Sequence, residues 1–267
     1  MALSTASEEG ASDAGSVRER VSATEWEVRV DLAACYRLVT RNGWDDGIFT
    51  HNSARVPGAD DHFLINPYGL MFREITASNL VKVDTDGRIV DGGALGQDVD
   101  IITAGFTIHS AVHMSREDAQ CVMHTHTTAG MAVSAQKAGL LPLTQKSMRF
   151  YKRIAYHDYE GIADDLDERE RLVADLGPHK AMILRNHGLL TVGGSVAEAY
   201  SQMAYLEHSC ATQLAAQAGG ELVTPSPEVC EHTAKQFDTF GGNQRGNEAS
   251  FAALKRMLDD EGSTYAH

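Results

Sequence analysis

The stretch that most constrains this chain is "CVMHTHTTAG", residues Cys121 to Gly130, near its middle. Three apolar residues lead into two histidines that are one residue apart. A short apolar run bounded by polar residues reads as an interior strand, and residues two apart on a strand share a face. His124 and His126 then project together, close enough to share one ion. The other reading is a pair of polar residues on a solvated strand face. Against it, buried imidazoles without partners would each cost roughly 1–3 kcal/mol, and the residues before the pair are apolar.

The flanking sequence supplies a sheet and its covering helices. Thr24 and Glu27 are spaced as a capping box, followed by Val28, Leu32, Cys35 and Val39 at helical spacing and a stop at Gly43. "GIFTHNSARV" alternates like a strand, "HFLIN" is a short strand, and "NPYG" is a turn. "NLVKVDTDGRIVD" reads as two strands around Asp86-Gly87. "FTIHSAVHMSREDAQ" is helical, and a further helix is expected to end at Gly139. "AMILRNHGLLTVGG" holds two apolar runs split by Arg185-Asn186-His187-Gly188, and Ser195 with Glu198 opens a long helix. There is no repeat and no proline-rich linker. The economical reading is one α/β domain with a mainly antiparallel sheet and flanking helices. Residues 1–22 read as a disordered leader, 23–240 as the domain, and 241–267 as a polar, peripheral tail.

The net charge of −14 argues against a nucleic-acid partner or an anionic membrane surface. No apolar run approaches the roughly 20 residues of a membrane helix. The first residues have neither a basic start nor an apolar segment, so they are not read as a secretory signal. The four cysteines are scattered, as expected of a reduced cytoplasmic protein.

Two histidines hold a divalent ion weakly, so a third ligand is needed. His187 is the leading candidate, because it lies where the apolar run "AMIL" enters a turn. A plain turn histidine is the other reading. His109 and His113 are four apart on one helix face. That spacing suits a metal, and it equally suits a helix face packed on the strand below, which is the preferred reading. His109 also fits a supporting role, orienting a ligand imidazole. His51 lies in a loop or at a strand end.

Together, "HNSARVPG", "FLINPYGLMFREITASNLVKVD", "IHSAVHMSREDAQCVMHTHTTAGMAVSA" and "LRNHGLLTVG" resemble the class II aldolase/adducin N-terminal domain family over residues 24–225. The resemblance implies a three-layer α/β/α fold with a central, mainly antiparallel sheet, and a homotetramer. It also implies that His124, His126 and His187 bind a divalent metal, Zn²⁺ first and Mn²⁺ or Fe²⁺ as alternatives. The catalytic glutamate of the family's sugar-phosphate aldolases falls at Gly105 here. Positions that hold phosphate in those enzymes correspond to Thr50, His51, Ser53, Tyr68, Gly69 and Thr103, several of them bulkier than the family pattern.

The expectation is a metal-dependent lyase of aldehyde-lyase or decarboxylase type, cleaving a C–C bond in a small, non-phosphorylated carbonyl or carboxylic acid substrate. His51 and His109 are the candidates for moving the proton, with Thr50, Ser53, Tyr68, Gly69, Thr103 and Gly105 around the substrate. The alternatives are a three-histidine iron oxygenase and a non-catalytic adducin-like module.

Overall fold

A computed structural model describes residues 16–161, 168–241 and 244–267. After a short turn of helix, α1 (Val17–Arg20), the chain forms α2 (Ala23–Arg41). The cap of α2 is Ser22, not Thr24: its side chain accepts the Glu25 N–H at 3.1 Å, and Thr24 sits inside the first turn. Leu32, Cys35 and Val39 are fully buried, as their spacing requires.

Four antiparallel strands follow in meander order: β1 (Asn52–Val56), β2 (Ala59–Ile65), β3 (Val81–Asp84) and β4 (Ile89–Asp91). Gly87 takes φ 82° in the turn between β3 and β4, which favours glycine. Next come α3 (Thr103–Ser115), β5 (Cys121–Thr125), α4 (Thr128–Ser134), α5 (Gln145–Met148), β6 (Ala155–His157) and α6 (Glu168–Leu176). The hairpin β7 (Ala181–Leu184) and β8 (Gly188–Gly193) precedes α7 (Val196–Ala218), α8 (Pro227–Gln236) and α9 (Gln244–Asp260). The helix expected to run to Gly139 stops at Ser134, and Gly139 closes the following loop with φ 64°.

Among the described residues the strands form one eight-stranded sheet, ordered β4-β3-β2-β1-β5-β8-β7-β6. Every neighbouring pair is antiparallel except β6 with β7. The alternation of side chains builds two cores. Cys121, Met123, Ala181, Ile183 and Leu189 face α2, α4, α7 and α9. Val122, Met182, Leu184, Leu190 and Val192 face α3 and α6. Helices therefore cover both faces of a central sheet, and β5 is buried along its whole length.

Residues 1–15 of the expected leader lie outside the described residues, while Val17 within α1 is buried. The polar tail is not peripheral: Phe251 and Leu258 of α9 and Tyr265 beyond it join the larger core. The strong amphipathic spacing of Phe251 and Leu258 was masked by the polar residues around them. The tail is also tied to the loop before β3, where the Ala77 N–H donates to the Tyr265 carbonyl at 2.8 Å. No helix among the described residues is long and apolar enough to cross a membrane.

Candidate metal centre

His124 and His126 sit at the exit of β5, and His187 sits in the tight connection between β7 and β8. Pairing of β5 with β8 and of β8 with β7 brings these points to one end of the sheet. The Nε2 atoms of His124 and His126 are 2.7 Å apart, and those of His126 and His187 are 2.9 Å apart. The backbone explains the fit. Asn186 adopts φ 55°, a left-handed conformation that asparagine tolerates. A Cβ at Gly188 would lie 2.3 Å from the Thr125 carbonyl oxygen and 3.1 to 3.3 Å from the His126 and His124 rings. Glycine there lets the hairpin close over the pair.

The other ring nitrogens fix the tautomers. His124 Nδ1–H donates to the Leu189 carbonyl at 2.9 Å, and His126 Nδ1–H donates to Asp46 Oδ2 at 3.1 Å. Both Nε2 atoms are left as lone pairs that face each other at 2.7 Å. Lone pairs at that distance repel unless a cation lies between them. A proton is disfavoured at neutral pH: burial, then His126 and His187, push His124 well below the usual imidazole value. Burial, then His126, bring His187 down to about 4. Neutral imidazoles with convergent lone pairs and oriented second nitrogens are the donor set that a borderline divalent ion takes. The three residues fit a metal, and one of them is buried while two are half-buried, which leaves the group open on one side.

Glu207 of α7 braces this segment. It accepts from the hydroxyls of Thr125 and Thr127, both at 2.5 Å, on either side of His126. Thr127 in turn caps α4 by accepting the Gly130 N–H at 3.0 Å. Burial raises the Glu207 carboxyl.

Behind the centre lies a second histidine group. His113 Nδ1–H donates to the Ala119 carbonyl at 2.9 Å. Burial brings His113 down to about 4, so it is neutral and its Nε2 accepts the Ser53 hydroxyl at 2.7 Å. The Ser53 oxygen then accepts His109 Nδ1–H at 2.6 Å. This chain leaves His109 Nε2 as a buried lone pair without a partner. His51 stands between the two groups, its ring centroid 4.5 Å from that of His109 and 5.5 Å from that of His124. Neither nitrogen of His51 has a hydrogen-bond partner of normal geometry, and burial, then His126 and His187, push it down to about 3.

Gly105 lies against His51: a Cβ there would fall 2.5 Å from Nδ1 and 2.6 Å from the ring carbons. The remaining expected residues are spread more widely. Thr50 is fully buried with an unpartnered hydroxyl. Ser53 is committed to the two histidines of α3. Thr103 begins α3. Tyr68 and Gly69 lie in the turn after β2, with the Tyr68 ring half exposed and Gly69 at φ 89°. Asp46 and Glu207 escaped the sequence reading, because each lies about 80 positions from the residue it holds. The spacing of His109 and His113 did signal a shared face, and that face meets β1 through Ser53.

A mostly antiparallel sheet between helices, with imidazoles gathered where a central strand ends, is the architecture of class II aldolases. Residues 30–214 match the Class II Aldolase and Adducin N-terminal domain, and the chain belongs to that family. It is similar to an aldolase II superfamily protein from Pseudomonas syringae, with 56% identity, 95% of this chain and 100% of that one covered, and a TM-score of 0.90. It is also similar to an L-fuculose 1-phosphate aldolase from Glaciozyma antarctica, with 30% identity, 90% and 95% covered, and a TM-score of 0.78. Alpha-adducin of Rattus norvegicus is 43% identical over 88% of this chain, which spans 33% of that protein.

Proposed function

We propose that the protein is a metal-dependent lyase that cleaves a C–C bond in a small, non-phosphorylated carbonyl or carboxylic acid compound. The observation that carries this reading is the convergence of the His124, His126 and His187 Nε2 atoms, with the His124 and His126 tautomers fixed from behind. These residues would hold the ion, with Zn²⁺ the first expectation and Mn²⁺ or Fe²⁺ accommodated by the same donors. A bound divalent ion supplies Lewis acidity to a carbonyl or carboxylate oxygen.

The proton work falls to His51. Its ring occupies the space into which a side chain at position 105 would have to grow, so His51 with Gly105 takes the place of the glutamate used by the family's sugar-phosphate aldolases. A neutral imidazole offers one N–H and one lone pair, and both are uncommitted here. An anionic substrate beside the ring favours its protonated form and moves its pKa back toward neutrality. His109 accepts hydrogen bonds only at Nε2 and packs edge-to-face against the His51 ring. Ser53 has no hydroxyl to spare for a phosphate, which supports a non-phosphorylated substrate.

The test is to incubate zinc-, manganese- and iron-loaded protein with β-hydroxy carbonyl compounds and aromatic or keto carboxylic acids, following aldehyde and CO₂ release. Metal-dependent release that falls at least about 100-fold in His51→Ala, within the usual range for a general acid or base, supports the reading. Oxygen consumption with a keto or hydroxy acid, without cleavage in anaerobic solution, would transfer the site to an iron oxygenase. The likeness to alpha-adducin favours a second reading, a binding module without turnover. That reading predicts no product with any metal.

A further inference from the structure

At the far end of β7 from His187, a cavity of about 320 Å³ is lined by Arg149, Arg153, His179, Lys180, Glu198 and Asp238, among others. Its charges are unevenly matched. Lys180 Nζ meets Glu198 Oε1 at 2.5 Å. Arg153 meets Asp238 at 3.0 Å and Glu231 at 3.1 Å. Both wall carboxylates are therefore already engaged, Glu198 by Lys180 and Asp238 by the arginine it shares with Glu231. Arg149 has no such partner. It is only 6% exposed, and its guanidinium has neither a hydrogen bond nor an ion pair among the described residues; Nη1 is buried without a partner. Two aromatic faces hold the group in place, Tyr205 at 4.6 Å and Phe237 at 5.8 Å from the guanidinium carbon to the ring centroids.

An arginine does not escape burial by losing its proton. A buried charge without a counter-ion is costly, and removing one partner of such a pair is among the more damaging changes in a protein. The rings supply no hydrogen-bond acceptor. A planar, forked donor on a cavity wall is the form in which arginine recognises carboxylate and phosphate groups. The volume lies at the lower end of the range for small-molecule sites.

We propose that this cavity is an anion site, in which Arg149 receives the carboxylate or phosphate group of a small organic or inorganic anion. Lys180 and Arg153 flank it in ion pairs with Glu198 and Asp238, which leaves Arg149 as the cation for the anion. The site is independent of the histidine centre, and its test does not require the lyase reading to hold.

The probes are inorganic phosphate and succinate, titrated calorimetrically into the full chain and separately into the His124→Ala variant. Saturable binding of either probe, about equal in both proteins and weakened about tenfold or more by Arg149→Met, is the expected result. Arg149→Met keeps an apolar stem against Tyr205 and Phe237, and Arg149→Lys, which keeps the charge without the fork, should fall between the two. Phosphate binding that wins over succinate assigns a phosphate ligand, and the reverse assigns a carboxylate. Binding unchanged in Arg149→Met, or absent for both probes, overturns the proposal. Loss of oligomeric mass in Arg149→Met without anion binding also overturns it, because a carboxylate of another copy would then be the counter-ion.

Discussion

The two histidine groups are built from the same residue type, one open on one side and the other fully buried, and they differ in what the second ring nitrogen does. At the centre, the outer nitrogens of His124 and His126 donate away to Leu189 and Asp46, so the inner lone pairs converge. Behind it, the donors and acceptors of His113, Ser53 and His109 run head to tail and satisfy one another, with one lone pair left at the end. Converging acceptors call for a cation, whereas a directed chain needs none and holds a shape. Counting histidines cannot separate these cases; tracing each hydrogen to its acceptor does.

Acid should break the packing of the buried group and of His51 beside it, and it gives the largest expected effect. The values of His51 and His113 fall from 6.5 to about 3 and about 4 in the folded protein. Above about pH 6.5 the folded and unfolded chains both carry neutral rings, and the stability is fully present. As the pH falls toward the folded values, only the unfolded chain takes up the protons, and stability is lost. At about 1.4 kcal/mol per pH unit, each ring removes roughly 2–3 kcal/mol near pH 4.5, or roughly 5 kcal/mol together, out of the 5–15 kcal/mol typical of a domain. Urea unfolding of metal-free protein at pH 7 and near pH 4.5 measures this. A flat profile would mean that these rings are not held neutral.

Ser53→Ala should separate the groups. It strands His109 Nδ1–H and the His113 Nε2 acceptor in the interior, at a cost of about 2–4 kcal/mol, and leaves metal content intact. Denaturant midpoints together with metal analysis report both halves. Gly105→Ala should cost about 1–3 kcal/mol by overpacking against the His51 ring. The double variant Gly105→Ala with His51→Ala should recover most of that cost, a coupling that a double-mutant cycle reads directly. Asp46→Asn should have the smallest effect, weakening metal affinity about tenfold through lost orientation of His126 with little change in stability, as followed by competition with a chelating dye.

The histidine cluster was legible because its members are local signals: two histidines at strand spacing, and a third in the turn that follows the apolar run Ala181–Leu184. The groups that aim them were not. Asp46 and Glu207 reach the site only after the chain has folded back across the sheet, and nothing in their own neighbourhoods marks them. The family pattern makes Ser53 a ligand-binding position. Its neighbours on α3 show it to be a bridge, which follows from β1 lying beneath the face shared by His109 and His113. The helix cap moved from Thr24 to Ser22 because two cap-competent hydroxyls stand two residues apart and only the fold selects between them. In the tail, the sparse apolar residues of α9 were outweighed by the polar composition around them.

The most direct test of the central claim is elemental analysis of protein purified without chelator or affinity tag, comparing the natural chain with His124→Ala and Ser53→Ala. The expected result is about one zinc, manganese or iron per chain in the natural protein and in Ser53→Ala, and a loss of about 1,000-fold in affinity in His124→Ala, since one of three imidazole ligands is gone. Metal absent from all three proteins even after incubation with Zn²⁺, Mn²⁺ and Fe²⁺, or retained in His124→Ala, would contradict the assignment of the converging imidazoles as a metal centre.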